Sequence, residues 1–315
     1  MIDIFYLDNE VLKKGKIEEL AQLRRKRLWL DVINLTPEEA ELLKKSFGLH
    51  PLTIEDLEHT LTRVKVEEFP TYLFCVFYGV RHIGTGQSEL QEIDIVVGKN
   101  FIITSHRQEL SATEELKVHP QKLSHHLEKG VDFLFHRILD HEIDNYFPVL
   151  EFIDEEMEKI DVLIKRPQPG LSLRIIKLKR NISDIRKTMI SQREKISFLA
   201  KEEYNFISKK SIPYFRDVYD HSIRVADELE YYREAIVGTF EVYMSSVSLN
   251  TNEIMKVLSA ITALAMPMTV ISSIYGTNFS FLPGSKSAYG FWMMLVLTLI
   301  IMIGLLYLFK KRKWF

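Results

Sequence analysis

Two apolar runs, residues 254–274 and 291–309, constrain this chain more than any other feature. They supply 21 and 19 positions, and each is long enough to cross a hydrocarbon core of about 30 Å. Charge is dense before them, yet no Asp or Glu occurs from residue 254 to 315. A charge-free stretch as long as 291–309 is difficult to bury in a soluble fold, so two membrane spans are expected. Lys256 sits at the inner end of the first span, where its ammonium can snorkel. Lys310-Lys311-Arg312-Lys313 follow the second, and the connection 275–290 carries only Lys286. The positive-inside rule then puts both termini in the cytoplasm and the connection outside a cell (inner) membrane.

The preceding residues read as a soluble body. Segments 2–7, 28–32, 72–80, 93–97 and 101–104 are rich in Ile, Val, Phe and Tyr and bounded by polar or glycine turns, the pattern of strands. Gly98-Lys99-Asn100 is placed to turn a tight hairpin. One helix is fully punctuated: Thr36 as N-cap, Pro37 at its first position, Glu39 closing a capping box and Gly48 just past its end. A mixed α/β domain follows. Further on, 132–164 reads as one long helical run whose Pro148 need not stop it, ended by Pro167, Pro169 and Gly170. Residues 171–208 read as an antiparallel return.

The formal net charge of −2 gives no basic face for nucleic acid. The single cysteine, Cys75, lies within an apolar segment and reads as a buried thiol in a reducing compartment. The first residues lack the basic, apolar and cleavage-site pattern of a signal peptide, so the body is expected to stay in the cytosol. No Walker loop, strand-borne GxGxxG, GxSxG elbow or HExxH occurs, and the chain is not expected to be an enzyme. His136 and His141, five apart with Asp140 and Asp144 nearby, do not share one helical face well and read as packing residues. The acidic cluster Asp154, Glu155, Glu156, Glu158 and Asp161 reads as a solvated helix face.

From 213 to 274 only Gly238 and Pro267 interrupt helix formers, which predicts one helix of roughly 90 Å. A polar seam repeats along it with a period near 3.5, the spacing of helices that wind about a common axis. The seam passes through Asp217, Asp220, Glu234, Glu241, Asn252, Met255, Ser259, Thr262, Met266, Thr269 and Ser273. Its first half is charged, and its second half carries neutral hydroxyls, an amide and methionines. At membrane depth such a seam suits water or polar partners, and small polar residues also let helices pack closely. Continuity with Asn278 favours a pore whose outer mouth is the loop. Several copies are needed to close it.

The segment Tyr275-Gly276-Thr277-Asn278-Phe279, after an apolar helix containing Met266-Pro267, closely resembles the signature of the CorA family of magnesium and cobalt transport proteins, with threonine where most members have methionine. His50-Pro51-Leu52-Thr53-Ile54-Glu55-Asp56, Tyr214-Phe215-Arg216-Asp217-Val218-Tyr219-Asp220-His221 and Tyr243-Met244-Ser245-Ser246-Val247-Ser248 extend the likeness over nearly the whole chain. The resemblance implies an α+β fold in three parts: an α/β/α cytosolic domain over 1–212, a stalk helix over 213–253 and two transmembrane helices within 254–315. It implies a homopentamer with Asn278 and Gly276 in an outer binding ring. It also implies pore-facing Asn252, Met255, Leu258, Thr262, Met266 and Thr269, with Met255 and Leu258 as the constriction. Asp217 matches a carboxylate that binds divalent cations and closes the channel when internal magnesium is high, and Asp220 is the neighbouring candidate. No cofactor is expected, with Mg2+ as substrate and regulatory ligand, and lipid and further copies of the chain as partners.

The chemistry is coherent with a passive route. Mg2+ dehydrates reluctantly, so neutral amide and carbonyl oxygens can hold it through its waters. A potential of 100 mV acting on two charges supplies about 4.6 kcal/mol, so no nucleotide site is required. The outer segment Leu282-Pro283-Gly284-Ser285-Lys286 lacks the acid many members carry there, which removes one source of cation concentration. Alternatives are the zinc-transporting branch of the same family, with or without proton coupling, and a non-conducting membrane-anchored cation sensor.

Overall fold

The computed structural model describes residues 1–59, 62–83, 88–164, 168–278, 280, 282–284 and 286–312. Pro167, Phe279, Ser285 and Lys313 lie outside the described residues. The chain forms two compact units. Met1–Leu163 with Gln168–Phe240 makes the first, and the described residues of 241–315 make most of the second.

The first unit is built on a seven-stranded sheet. Its strands are β1 (Ile2–Asp8), β2 (Val11–Gly15), β3 (Leu28–Ile33), β4 (Lys65–Glu68), β5 (Tyr72–His82), β6 (Ser88–Gly98) and β7 (Phe101–His106), in the spatial order β2-β1-β3-β7-β6-β5-β4. Only β3 and β7 run parallel. All five strand segments expected from the sequence are present, and Val97 faces Ile102 across the hairpin at 98–100. The two additional strands, β2 and β4, are short and carry lysines, and they form the two sheet edges. Charge on a short edge strand discourages pairing with other chains.

One sheet face is covered by α2 (Pro37–Phe47) and α3 (Pro51–Glu58), which bury Leu30, Val32, Ala40, Leu43, Phe47, Leu57, Phe74 and Ile103 in one core. The ends of α2 form as expected. Glu39 N–H donates to Thr36 Oγ1 at 3.3 Å and Thr36 N–H to Glu39 Oε2 at 3.0 Å. Gly48 closes the helix at φ 67°, a left-handed conformation that costs other residues more.

The other face carries α4 (Ser111–Val118), α5 (Pro120–Lys129), α6 (Val131–Asp144), α7 (Tyr146–Ile164), α8 (Leu171–Lys201) and the start of α9 (Ile212–Tyr275); the one-turn α1 (Leu20–Leu23) packs near β1. Phe135 joins Phe77 of the sheet to Phe215 of α9, with ring centroids 6.4 and 5.2 Å away. The unit is therefore an α/β/α sandwich. Cys75 is buried in it, and burial pushes its thiol well up, as suits an inert residue.

Two helix boundaries differ from the sequence expectation. The run 132–164 is two helices, because the chain turns at Asn145 and Pro148 then falls in the first turn of α7, where its missing N–H removes no helical bond. The return helix α8 stops at Lys201, seven residues short of 208. Glu202 and Glu203 oppose the partial negative charge at its C-terminus. The chain beyond is held elsewhere: Asp132 Oδ2 accepts from Ser208 N–H at 3.0 Å and from the Ser211 hydroxyl at 2.7 Å.

Buried acids of opposite character sit in the sheet. Asp31 is paired with His106 and Lys117. Asp94 is buried and its Oδ1 has no hydrogen-bond partner among the described residues. Burial, then Glu92 and Asp56, push its carboxyl well above the usual range, and Arg107 and Lys65 only partly offset this. A folded-state pKa above the unfolded value gives stability that is full below about pH 4 and is lost as pH rises through the folded value. Asp94→Asn is therefore expected to flatten the decline of the thermal midpoint as pH rises above about 4 and raise that midpoint by a few degrees. An unchanged pH slope would show that Asp94 is ionised throughout.

The second unit contains the remainder of α9 and α10 (Gly290–Lys311). Both α9 and α10 contain a stretch long and apolar enough to cross a membrane. The expected spans 254–274 and 291–309 fall wholly within them.

Candidate functional site

The residues expected in the seam all lie on α9. Asp217, Asp220, Glu234, Glu241, Asn252, Met255, Ser259, Thr262, Met266, Thr269 and Ser273 are all exposed, as is Leu258. Within the second unit α9 shields a different stripe: Ala260 is buried, and Ala263, Leu264, Pro267 and Ile271 are half-buried. On α10 the shielded positions are Met294, Thr298, Met302, Leu305 and Phe309, again three and four apart. At about 100° per residue, the seam lies roughly 140° around the helix from the shielded stripe of α9. The small polar residues are therefore not what packs α9 within its own chain.

Their hydrogen bonds show what the seam can offer. Thr262 Oγ1 donates to Leu258 O at 2.9 Å, and Thr269 Oγ1 donates to Met266 O at 2.8 Å. Each hydroxyl proton is satisfied inside the helix, which leaves oxygen lone pairs on the outside. Such oxygens accept from water molecules, the outward-facing donors of a hydrated cation. Ahead of the apolar stretch a groove of about 470 Å³ runs along Leu249, Asn252, Glu253, Met255, Lys256 and Ser259.

The C-terminal end of α9 forms a tight turn. Gly276 N–H donates to Ser272 O at 2.9 Å, and Thr277 N–H donates to Ile274 O at 3.2 Å. The Thr277 hydroxyl donates to the same Ile274 carbonyl at 2.7 Å. Asn278 is exposed, and its side chain forms no hydrogen bond among the described residues. Tyr275 Oη donates to Pro283 O at 2.9 Å, drawing the loop back over the helix end. Gly284 at φ 79° and buried Gly290 meet so closely that a Cβ on Gly290 would overlap the Gly284 carbonyl oxygen. Carbonyls at a helix C-terminus carry about half a negative charge in sum. That charge attracts cations to this turn in the absence of a loop carboxylate.

A third cluster lies in the first unit. Ligand atoms of Asp140, Asp144 and His221 lie within 4.8 Å of one another, with His221 Nδ1 3.0 Å from Asp144 Oδ1. Burial pushes the Asp140 carboxyl up and Asp144 adds to this, while Arg137 and His221 pull it down; the Asp217 charge also reaches it. Asp217 and His221 share a face of α9 at i, i+4 spacing. Asp220 does not belong to this group. His136 instead packs edge-on against Tyr214 and Phe215, and burial pushes it down to about 4. His141 faces Ser111 Oγ at 3.0 Å and Glu115 at 3.1 Å. His221 was not singled out as a ligand in the sequence because it lies 77 positions from Asp144. The available signal was the i, i+4 pair Asp140 and Asp144 on one helix. Of the acidic cluster on α7, Glu156 is buried and bonded to Arg174 and Lys159, and the other four acids are exposed.

Comparison with known proteins is consistent over the chain's length. The family model described as CorA-like Mg2+ transporter protein matches residues 25–311. A cobalt/magnesium transport protein CorA of Thermotoga maritima is 32% identical over 293 residues, covering 91% of this chain and 83% of the relative. Among solved structures, the complete CorA magnesium transporter of Methanocaldococcus jannaschii superposes with a TM-score of 0.81 at 23% identity, covering 100% of this chain and 99% of the other. The ZntB cytoplasmic domain from Vibrio parahaemolyticus shares the fold at a TM-score of 0.61 and 15% identity, covering 80% of this chain and 98% of that domain. The match to the family model over most of the chain, together with the Thermotoga relative, settles the relationship: this protein belongs to the CorA-like Mg2+ transporter family.

Proposed function

We propose that the chain assembles as a homopentamer in the cell (inner) membrane, with both termini cytoplasmic, and admits Mg2+, and Co2+ as well, down the membrane potential. The observation that carries this reading is the uninterrupted exposed seam, turned away from the stripe that α9 shields in its own chain. Copies of α9 around an axis bring that seam together as a lining of acceptor oxygens. The hydrated ion is selected at the outer ring of Gly276 and Asn278. Met255 and Leu258 form the apolar constriction, where a narrow pore expels water and blocks the ion. Asn252, Ser259, Thr262, Met266, Thr269 and Ser273 line the path between.

Regulation is assigned to Asp217 with Asp140, Asp144 and His221. Burial, with the charges of Asp144 and Asp217 added, raises the proton affinity of Asp140, so the cluster gains from a divalent cation in place of a proton. Their oxygens fit a hard ion, and the His221 nitrogen adds affinity for Co2+, Ni2+ or Zn2+. Asp217→Lys is expected to raise the internal Mg2+ concentration at which flux stops by about tenfold, the effect of a charged contact worth about 1.4 kcal/mol. A superimposable inhibition curve would make Asp217 an ordinary surface acid.

The reading as a whole is tested by flux into liposomes under an inward-directed potential. Mg2+ and Co2+ entry without a proton gradient is expected. Entry of Zn2+ alone, or only with a proton gradient, would move the chain to the zinc-transporting branch. No entry of any divalent ion would leave a membrane-anchored cation sensor.

A further inference from the structure

We propose that Thr277 is a positioning and specificity-determining residue, which clamps the end of α9 so that the Asn278 amide and the Gly276 carbonyl are held in place toward the hydrated ion. This rests on the reading of the outer turn as the conduction site. Of the side chains in Gly276-Thr277-Asn278, two carry polar groups, and the structure treats them oppositely. The Thr277 hydroxyl gives its only proton to Ile274 O at 2.7 Å. Asn278 remains exposed, and its side chain has no partner among the described residues.

The Ile274 carbonyl thereby receives two donors, the Thr277 N–H at 3.2 Å and the hydroxyl. Both lone pairs of that oxygen are occupied, and the last turn of α9 is tightened. The Gly276 carbonyl accepts no backbone hydrogen bond among the described residues. A residue without a donor at 277 would release one lone pair of Ile274 at the helix end, where unsatisfied carbonyls concentrate. The mouth would gain an acceptor and lose rigidity. Ions that differ in how firmly they hold their waters respond differently to such a change, so the consequence falls on selectivity rather than on assembly.

The turn is also braced from the loop side. Tyr275 Oη holds Pro283 O at 2.9 Å, Ser287 N–H donates to Gly284 O at 3.1 Å, and Gly290 N–H donates to Ser287 O at 3.0 Å. With the loop fixed at that end, the Thr277 hydroxyl ties down the helix end from its own side.

The test compares the parent with Thr277→Ser, which keeps the hydroxyl, and Thr277→Val, which keeps the shape without it. Mg2+, Co2+ and Ni2+ fluxes into liposomes are measured, with oligomer size and thermal midpoint followed in parallel. The serine variant is expected to keep the Mg2+ over Co2+ and Mg2+ over Ni2+ flux ratios within about twofold. The valine variant is expected to change them by about fivefold to tenfold, the scale of one hydrogen bond, at unchanged oligomer size. Should Thr277→Val fail to assemble, Thr277→Ala is measured in its place with the same expectation. Equal ratios in all variants would overturn this assignment while leaving conduction intact. Loss of all flux in the valine variant without a change of ratio in the serine variant would make Thr277 an ion ligand and also overturn it. A parent that passes no divalent ion would overturn the conduction reading and this inference together.

Discussion

Asn278→Ala is expected to abolish uptake of Mg2+ and Co2+, lowering flux by at least about tenfold while leaving the assembled protein intact. The magnitude follows from the chemistry of the turn. A hydrated Mg2+ presents water protons, and in the proposed ring each copy of the chain would offer it an amide oxygen that has no hydrogen-bond partner among the described residues. A hydrogen bond of this kind to charge-polarised water is worth about 1.5 kcal/mol or more, and a ring loses several at once. Since the Asn278 side chain makes no hydrogen bond among the described residues, its removal is expected to leave the thermal midpoint within about a degree of the parent. A variant that still carries Mg2+ at more than half the parent rate would remove Asn278 from the selectivity ring.

The second large effect concerns the folded body. Asp31 is buried on β3, with His106 Nε2 at 2.9 Å, Lys117 Nζ at 2.7 Å and the Thr104 hydroxyl donating to it at 2.5 Å. Thr104 in turn accepts from Trp29 Nε1 at 3.0 Å. The cluster joins the one parallel strand pair, β3 and β7, to α4. Burial pushes the Asp31 carboxyl up, but the His106 hydrogen bond and the charges of His106 and Lys117 outweigh this and hold it below the usual range. Asp31→Ala leaves a histidine, a lysine and a threonine hydroxyl desolvated without their shared acceptor. Removal of one partner from a buried charged group costs about 3–5 kcal/mol, which is a large part of a domain's stability. The thermal midpoint is expected to fall steeply, and Asp31→Asn, which preserves an acceptor, to lose less. A depressed carboxylate contributes stability above its unfolded pKa of about 3.9 and loses it as pH falls through the folded value. The parent is therefore expected to lose stability on acidification below about pH 4, and Asp31→Ala to lack that portion of the loss. A midpoint unchanged by Asp31→Ala would mean that the three partners find others.

The parts legible in the sequence are those in which local chemistry and the final environment agree. Thr36, Glu39 and Gly48 satisfy the ends of α2 using only neighbours in the chain, so their spacing was sufficient. The long helix was legible because helix formers continue over many turns, and it is observed from Ile212 to Tyr275. The edge strands β2 and β4 were not, since VLKKG and KVEE are only 5 and 4 residues long and alternate poorly. The end of α8 was hidden for a different reason. Asp132, which captures Ser208 and Ser211, is more than 70 positions away along the chain. The same holds for His221 beside Asp144, a proximity set by the packing of α6 against α9 and absent from any spacing rule. At the outer turn the motif residues stood in plain view, but not the division of labour between them. That Thr277 faces inward to Ile274 while Asn278 is left open depends on hydrogen-bond direction, which residue identity alone does not specify.

The central claim is that water reaches the seam of α9 at membrane depth. Cysteine scanning with a small, membrane-impermeant, charged thiol reagent tests it directly, because the native Cys75 is buried and gives little background. Cysteines placed singly at Ser259, Thr262, Thr269 and Ser273 are expected to be modified in the assembled protein and protected by Mg2+. Cysteines at Ala260, Leu264 and Ile271 on the shielded stripe, and at Ile261 and Met268 on the remaining face, are expected to stay unmodified. Labelling that follows the stripe of Ile261 and Met268, or that is absent from all positions between 259 and 273, would contradict a water-filled path along the seam.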